Sequence, residues 1–271
     1  MGVKLIALDL DGTTLKNDHF SVSVKNRRAI VGALAQGVVV VPATGRFLNG
    51  IPRSVKKIAG IRYAITSNGA FVWDFRSNKV LYSNLLLCET AAKVLALAKD
   101  INVYAEAYCE GKAYMEYEAK PETFNRDLSM ELHSLFWKRK KVQNLVGYIC
   151  AERKSVEKIE IIPKDHRTRE EMEEKLKGLP LSITTSGMDS IEVTNFGATK
   201  GEALAHLCRY LQIKPEEVMA IGDNCNDIEM LRFAGLAVAV DNADGALKKI
   251  ADFIVRGSDL DGVAEAIERF V

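Results

Sequence analysis

The segment that most constrains the fold is Lys4–Thr14, where an apolar run ends in two carboxylates. Its first half lacks alternating polar positions, which is typical of a strand in a parallel sheet covered on both faces. Asp9 and Asp11 follow, then Gly12 and two threonines. Ligands of such sheets bind beyond the carboxyl ends of the strands. Because carboxylates are costly to bury without a cation or hydrogen-bond donors, we expect a functional site where this strand ends.

Three later apolar runs end in polar residues in the same manner. They are Val38–Val41 before Thr44, Tyr63–Ile65 before Asn68, and Val218–Ile221 before Asp223 and Asp227. If these runs are neighbouring parallel strands, their carboxyl ends lie along one edge of the sheet. The sequence therefore predicts that acids, a hydroxyl and an amide from distant positions converge on one crevice.

The order of the elements predicts an α/β fold in two parts. Ser23 is placed to cap a helix that ends at Gly37, so the chain opens with a strand, a helix and a second strand. The pattern then changes to an antiparallel hairpin, Ala70–Trp73 with Lys79–Tyr82, and a second hairpin is centred on Glu110–Gly111. A length of 271 residues suits one large α/β domain with a smaller module.

The middle of the chain does not continue the parallel pattern. A mixed stretch extends to about residue 140, and parallel alternation of strands and helices returns near Ile191 and continues to the end. We therefore predict a parallel-sheet core domain at 1–83 and 189–271, with an inserted α/β domain at 84–188. An insertion at this point could cover the strand ends like a lid.

Composition favours a small-molecule site. The formal net charge is +1, with 37 basic and 36 acidic residues, so neither nucleic acid nor a membrane surface is an expected partner. The five cysteines are scattered and lack Cys-x-x-Cys spacing, which predicts reduced thiols. No apolar run approaches ~18 residues, and no cleavable leader precedes the first strand. We expect a cytoplasmic protein without an obligate protein partner.

Two carboxylates at a strand end can take different roles in phosphoryl transfer. Gly12 allows the backbone to turn, so the side chains of Asp9 and Asp11 can diverge. One carboxylate can then attack an electrophile beside a metal ion. The other can donate a proton to the leaving group and later accept one from water. Because phosphate is strongly anionic, a carboxylate nucleophile needs a cation and fixed donors to approach it.

Oxygen ligands for such a cation are available at the predicted crevice. Mg²⁺ prefers about six oxygens and usually keeps some waters. Asp9, the backbone carbonyl of Asp11 and Asp223 would supply protein ligands, and Asp227 could orient the bound waters. The sequence thus predicts Mg²⁺ as the cofactor.

Donors for the phosphate are also available. The Thr44 hydroxyl and the Gly45 amide could hold phosphate oxygens, and Lys200, at the start of a predicted helix, could neutralise them. An Asp-x-Asp-Gly segment alone equally suits a simple turn. Together with Thr44 and Lys200 it becomes specific for a phosphoryl-transfer site.

Four segments resemble, in order and spacing, the motifs of the haloacid dehalogenase superfamily. They are Asp9–Thr13, Thr44–Arg46, Lys200–Gly201 and Gly222–Asp227. The insertion between the second and third motifs resembles the large α/β cap of Cof-type phosphatases, subclass IIB. The resemblance covers essentially the whole chain and implies a Rossmann-like parallel-sheet core domain with an inserted α/β cap domain.

The resemblance also implies roles for individual residues. Asp9 would be the nucleophile, Asp11 the general acid and base, and Thr44 and Lys200 the catalytic phosphate ligands. The metal set would be Asp9, Asp11 through its carbonyl, Asp223 and, as a partner of metal-bound water or of Lys200, Asp227. The residues expected to contact substrate are Gly45, Arg46, Asn68 and Asn195.

The expected activity is that of a Mg²⁺-dependent phosphomonoester hydrolase acting on sugar phosphates or phosphorylated cofactors. A phosphomannomutase-like phosphotransferase shares these motifs and stays open as an alternative, as does a catalytically silent phosphometabolite-binding regulator. A dehalogenase is disfavoured, because Asp11, Asp223 and Lys200 form a metal and phosphate site that carbon–halogen displacement does not need.

Overall fold

The chain forms two compact units, which the computed structural model describes over residues 2–118, 139–185 and 190–271. The core unit contains Met1–Arg46, Ile51–Ser83 and Thr199–Val271. The inserted unit contains Phe47–Gly50 and Asn84–Ala198. Each has its own sheet and its own cluster of buried apolar side chains.

A five-stranded parallel sheet forms the centre of the core unit. Its strands are β1 (Leu5–Leu8), β2 (Val39–Pro42), β12 (Val218–Gly222), β13 (Leu236–Val240) and β14 (Phe253–Val255). They lie in the order β14, β13, β12, β1, β2, and every pairing is parallel. All four residues of β1 are buried, as expected of a strand covered on both faces. The predicted α/β core with a parallel sheet is confirmed.

Helices cover this sheet and complete the apolar core. They are α1 (Val24–Ala35), α2 (Arg53–Lys56), α6 (Lys200–Leu211), α7 (Ile228–Phe233), α8 (Gly245–Lys248) and α9 (Gly262–Phe270). The side chain of Ser23 accepts a hydrogen bond from the Asn26 amide, which confirms the predicted cap of α1. Gly37 follows the helix with a φ of +86°, a conformation that glycine adopts without strain.

A smaller antiparallel sheet completes the core unit. It contains β3 (Tyr63–Thr66), β4 (Phe71–Asp74) and β5 (Lys79–Ser83), in that order. The pairing of β4 with β5 confirms the hairpin predicted from the sequence. A parallel bridge between Ala43 and Ile65 places the end of β3 beside the end of β2.

The ends of β1 and β12 mark the point where the core sheet changes direction. From β1 the chain passes through α1 to β2 on one side, whereas β12, β13 and β14 follow one another on the other side. The Asp9 amide donates to the carbonyl of Ile221 over 3.0 Å, so the two strands end side by side. Such a switch point is where α/β sheets of this kind bind ligands.

The inserted unit contains a six-stranded sheet with helices against it. The strands are β6 (Tyr104–Cys109), β7 (Lys112–Glu116), β8 (Lys140–Val142), β9 (Lys158–Ile162), β10 (Leu181–Thr184) and β11 (Ile191–Asn195). The helices are α3 (Cys88–Asp100), α4 (Leu145–Ala151) and α5 (His166–Leu176). The sheet order is β10, β11, β9, β6, β7, β8, and only the β7–β8 pairing among these described strands is parallel. The predicted hairpin about Glu110–Gly111 is the turn between β6 and β7.

The far end of the insertion differs from the sequence prediction. Ile191 was expected to begin the return to the parallel core, but β11 pairs antiparallel with β10 and β9 in the inserted sheet. The core unit resumes at Thr199 instead. The predicted boundary at 188/189 and most of the mixed stretch before residue 140 lie outside the described residues. The residues of β11 alternate, with Ile191 and Val193 apolar and Glu192 and Thr194 polar, which is typical of an antiparallel strand and fits the inserted sheet rather than the parallel core.

Candidate active site

Five chain segments bring polar side chains to the carboxyl edge of the core sheet. Asp9 and Asp11 follow β1, Thr44 follows β2, the turn Ser67–Gly69 follows β3, and Asp223 follows β12. Lys200 is the first residue of α6. The polar residues that follow strands do so at short spacing, so the strand ends fix where they lie, whereas the start of α6 fixes Lys200.

A buried lysine joins two of the aspartates. Lys200 Nζ lies 2.5 Å from Asp9 Oδ1 and 2.7 Å from Asp227 Oδ1, and its side chain has no exposed surface. Burial alone would lower the pKa of Lys200, but the two carboxylates outweigh it and raise the pKa above its usual range. The lysine is therefore a fixed cation beside Asp9.

The start of α6 is built to place this lysine. Thr199 caps the helix by accepting a hydrogen bond from the Glu202 amide over 3.1 Å. A Cβ at Gly201 would lie 2.5 Å from the backbone of Glu229, so only glycine allows α6 to approach α7 this closely. The Lys-Gly pair thus combines a charged group with the close helix contact that buries it.

Asp227 holds the loop after β12. Its Oδ1 accepts from Lys200, and its Oδ2 accepts from the amides of Asp223 and Asn224 over 3.0 and 3.1 Å. The side chain is fully buried. Of the two roles that the sequence suggested for Asp227, these contacts favour that of partner to Lys200.

Asp223 sits against Gly12 and Thr13. The Thr13 hydroxyl donates to Asp223 Oδ1 over 2.6 Å. Gly12 has a φ of +75°, and a Cβ there would lie 2.4 Å from Asp223 Oδ2. Burial, reinforced by Asp227, raises the pKa of Asp223 to about 6 against the opposing effects of Thr13 and Lys200. Glycine is therefore required at position 12 both for its backbone angle and for the space that the carboxylate fills.

The acidic cluster fits a divalent cation. Carboxylate oxygens of Asp9, Asp223 and Asp227 lie within 4.8 Å of one another. Burial raises the pKa of Asp9 well above its ordinary value, Lys200 opposes this shift, and the neighbouring carboxylates add to it. Three carboxyl groups face one lysine here, and oxygen ligands of this kind suit Mg²⁺.

The carboxylate of Asp11 is not part of this cluster. Arg46 donates hydrogen bonds to both of its oxygens, with Nε 2.7 Å from Oδ2 and Nη2 2.5 Å from Oδ1. His19 Nδ1 lies 3.0 Å from the same Oδ1. Burial alone would raise the pKa of Asp11, but Arg46 outweighs it and, with His19, holds the pKa well below its usual range. The two acids of the Asp-x-Asp segment thus have different partners.

Thr44 and the turn after β3 are tied to each other. The buried Thr44 accepts through its hydroxyl from the Arg46 amide over 3.1 Å, and its carbonyl accepts from the Asn68 amide over 3.1 Å. Gly45 lies between Thr44 and Arg46 and is half-buried. Ser67, Asn68 and Gly69 all have positive φ values, of 51°, 55° and 99°. Strained backbone of this kind is maintained where the surrounding structure fixes it, often at a functional site.

Asn195 is the exception among the predicted site residues. It ends β11 in the inserted unit, where its amide donates to Asn84 Oδ1 over 2.6 Å. Its expected contact with substrate stays a prediction. The other predicted residues, from Asp9 to Asp227, all belong to the core unit.

Comparison with known proteins gives the family. The model of the haloacid dehalogenase-like hydrolases matches residues 6–267. The chain belongs to this family. This hydrolase is 33% identical over 272 residues to a 5-amino-6-(5-phospho-D-ribitylamino)uracil phosphatase of Bacillus subtilis, covering 99% of this chain and 96% of that one. A second Bacillus subtilis phosphatase with the same named substrate is 29% identical, covering 99% and 98% of the two chains.

Solved structures agree with the sequence comparison. A haloacid dehalogenase-like hydrolase of Bacillus subtilis superimposes with a TM-score of 0.86 at 27% identity, covering 99% of this chain and all of that one. Family and full-length relatives together make this haloacid dehalogenase-like hydrolase a phosphatase. The helices within the described residues are all too short or too polar to cross a bilayer.

Four side-chain contacts described at this hydrolase's site were not predicted from the sequence: Thr13 with Asp223, Arg46 and His19 each with Asp11, and Asn226 with Asn68. Thr13 belongs to a predicted motif, and its bond to Asp223 could have been inferred from that motif. His19 lies eight residues beyond Asp11 and outside the four motifs, whereas Asn226 lies inside the Gly222–Asp227 motif but donates to Asn68 Oδ1 over 3.2 Å across 158 positions of sequence. Both contacts depend on how loops fold back, which strand patterns do not specify.

Proposed function

We propose that this phosphatase is a Mg²⁺-dependent phosphomonoester hydrolase that works through an aspartyl-phosphate on Asp9. The observation that carries the proposal is the buried contact of Lys200 with Asp9 beside Asp223, at the switch point of a parallel sheet. An isolated anionic cluster of this kind is costly to bury. A bound cation would offset the cost of burying these carboxylates, and it would attract the phosphate group of a substrate.

Asp9, Asp223 and the backbone carbonyl of Asp11 would hold Mg²⁺. Asp227 would act indirectly, because its hydrogen bonds hold Lys200 and the backbone amides of the loop that carries Asp223. Bound Mg²⁺ supplies positive charge that screens the phosphate oxygens and stabilises the charge of the transition state. The close approach of the Asp223 carboxylate to Gly12, which a Cβ would prevent, supports Asp223 as a member of this set.

In the first half-reaction a carboxylate oxygen of Asp9 attacks phosphorus. The bond from phosphorus to the ester oxygen breaks, and Asp11 gives the departing alkoxide a proton that it must first take up from solvent, because Arg46 and His19 favour its ionised form. Lys200, the Thr44 hydroxyl and the Gly45 amide hold the phosphoryl oxygens, and Asn68 contacts the substrate beside them. In the second half-reaction Asp11 takes a proton from water, which attacks phosphorus and releases inorganic phosphate and the free Asp9 carboxylate.

The substrate is proposed to be a small phosphorylated metabolite, either a sugar phosphate or a phosphorylated cofactor. Support comes from the two relatives named for a phosphorylated ribitylaminouracil, a sugar-alcohol phosphate joined to a heterocycle. Formal charge near neutrality also suits a small anionic ligand better than a polyanion. None of the five cysteines, all within the described residues, forms a disulfide, which supports a reducing, cytoplasmic location that fractionation of cells would test.

Phosphate release from a panel of phosphoesters tests the proposal. The panel contains sugar phosphates, pyridoxal phosphate, nucleotides and 5-amino-6-(5-phospho-D-ribitylamino)uracil, each with Mg²⁺ and with EDTA. We expect Mg²⁺-dependent release by the natural protein, none by Asp9→Asn, and unchanged release by Asp252→Asn. Asp252 is the matched control, because it binds the Ala237 amide away from the cluster.

The same panel separates the alternatives. A phosphomannomutase-like phosphotransferase would move the phosphoryl group to a second sugar hydroxyl, would need a bisphosphate primer and would release little inorganic phosphate. A silent regulator would bind ligands without turnover. Full activity of Asp9→Asn would contradict the covalent route.

A further inference from the structure

The guanidinium of Arg46 is directed at a catalytic acid rather than presented as a free phosphate ligand. Its Nε and Nη2 form a fork on the two oxygens of Asp11, and Nη2 also donates to the carbonyl of His19 over 3.0 Å. A forked guanidinium–carboxylate pair fixes orientation as well as distance. The sequence predicted a substrate contact for Arg46, and these bonds indicate another task.

Arg46 is the fixed member of the pair. Its amide donates to the Thr44 hydroxyl over 3.1 Å, and its carbonyl accepts from the Ser67 amide over 2.9 Å. Its side chain is 8% exposed, whereas that of Asp11 is 37% exposed. Because Arg46 is held along its backbone and buried, it imposes an orientation on Asp11 rather than following it.

We propose that Arg46 is a positioning residue for leaving-group protonation by Asp11. The inference rests on the proposed function, in which the O–H bond of Asp11 breaks as the new bond from hydrogen to the leaving oxygen forms. The fork of Arg46 fits the carboxylate that remains after the proton has left, and it keeps that carboxylate apart from the metal cluster. His19 closes the other side of the same oxygen.

This role predicts dependence on the leaving group. An alkyl phosphate releases a strongly basic alkoxide, which needs a proton as the ester bond breaks. p-Nitrophenyl phosphate releases a phenolate that departs without one. A residue that only held phosphate, or only supported the fold, would affect both substrates alike.

The test compares Arg46→Gln and Arg46→Lys on p-nitrophenyl phosphate and on the alkyl phosphate most rapidly hydrolysed in the panel. The quantity is kcat/KM, which covers the steps up to phosphorylation of Asp9 and omits hydrolysis of the intermediate. We expect Arg46→Gln to lower kcat/KM for the alkyl phosphate by about 10²-fold, the lower end of what general acid catalysis contributes. The value for p-nitrophenyl phosphate should change much less, and the inhibition constant of inorganic phosphate should stay unchanged.

Arg46→Lys keeps the charge without the fork, so it should fall between the natural protein and Arg46→Gln on the alkyl phosphate. If thermal unfolding shows that Arg46→Gln does not fold, Arg46→Lys alone provides the comparison of the two substrates. Arg62→Gln is the matched control: Arg62 forks onto Asp74, with Nε 3.1 Å from Oδ1 and Nη2 2.8 Å from Oδ2, outside the candidate active site. It should leave the ratio of the two kcat/KM values unaltered.

Three results would overturn the inference. Equal losses on both substrates with weaker inhibition by phosphate would make Arg46 a phosphate ligand. Unchanged kcat/KM values in both Arg46 variants would show that the Arg46–Asp11 contact has no role in catalysis. Equal losses with unaltered phosphate inhibition would assign it a structural role. Failure of the natural protein to hydrolyse either ester would instead refute the proposed function, so the two failures are distinguishable.

Discussion

Replacing Lys200 with methionine probes how the buried cluster is held together. Methionine resembles the apolar stem of lysine but has no charge or N–H donors. The substitution therefore removes the bonds of 2.5 and 2.7 Å to Asp9 and Asp227 while leaving most of the volume filled. Both carboxylates stay buried without their cation.

The magnitude follows from the two lost contacts. Hydrogen bonds to charged groups contribute about 1.5–3 kcal/mol each, so two of them predict roughly 3–6 kcal/mol. Removing one partner of a buried ion pair costs about 3–5 kcal/mol, in the same range. We expect the free energy of unfolding to fall by about 4 kcal/mol near neutral pH. The loss should shrink in acid, because protonation neutralises a carboxylate left without its partner.

Urea denaturation followed by circular dichroism, in EDTA to exclude metal ions, measures this difference. Lys4→Met is the matched control, because Lys4 pairs with Glu217 over 2.7 Å while remaining 62% exposed. Because the lysine of that pair is solvent-exposed, the loss should be much smaller than that for Lys200→Met. In a double-mutant cycle, Lys200→Met with Asp227→Asn should cost less than the sum of the single changes by about 1–3 kcal/mol.

Two results would refute this reasoning. One is a loss for Lys200→Met no larger than that for Lys4→Met. The other is strict additivity with Asp227→Asn, which would mean that the two side chains do not interact in solution.

Two further predictions concern the metal site. Gly12→Ala should abolish stabilisation by Mg²⁺ in thermal unfolding, because its Cβ would lie 2.4 Å from Asp223 Oδ2 at a φ of +75°; Gly245→Ala, with open space around its Cβ position, should not. Burial raises the pKa of Asp223 to about 6 from an ordinary value of about 3.9, so the native state binds this proton more tightly than the unfolded state. Asp223 therefore makes the metal-free protein less stable as pH rises from about 4 to about 6, whereas stabilisation by Mg²⁺ should grow over that range. A Mg²⁺-induced rise in Tm that is independent of pH, or that persists in Asp223→Asn, would contradict this assignment.

The fold was predictable where apolar runs and turn residues recur in simple patterns. The uninterrupted apolar residues of β1 and β12 predicted a parallel sheet, and Ser23 and Gly37 predicted the limits of α1. The end of the insertion was predicted wrongly, although Ile191 and Val193 of β11 alternate with Glu192 and Thr194, a pattern typical of an antiparallel strand. Its antiparallel partners β9 and β10 are set by long-range pairing that its own residues do not encode.

The candidate site divides in the same way. Four of the predicted residues lie at the ends of regular elements: Asp9, Thr44, Lys200 and Asp223. The strand and helix patterns were therefore enough to predict that they share one site. The contacts of Asp11 were not predictable, because Arg46 and His19 reach it through side-chain conformations and through the loop that carries His19. The direction of the Arg46 side chain decides whether it contacts substrate or Asp11, and sequence spacing does not determine that direction.

Trapping the covalent intermediate tests the central claim, that Asp9 is the nucleophile, most directly. Asp11→Asn should still be phosphorylated by p-nitrophenyl phosphate, whose leaving group needs no acid, but should hydrolyse the intermediate slowly for want of a base. Rapid mixing followed by acid quench and peptide mass analysis should give a burst of one p-nitrophenolate per protein and a phosphoryl group on Asp9. Steady release without a burst, or a phosphoryl group on any other residue, would contradict the account.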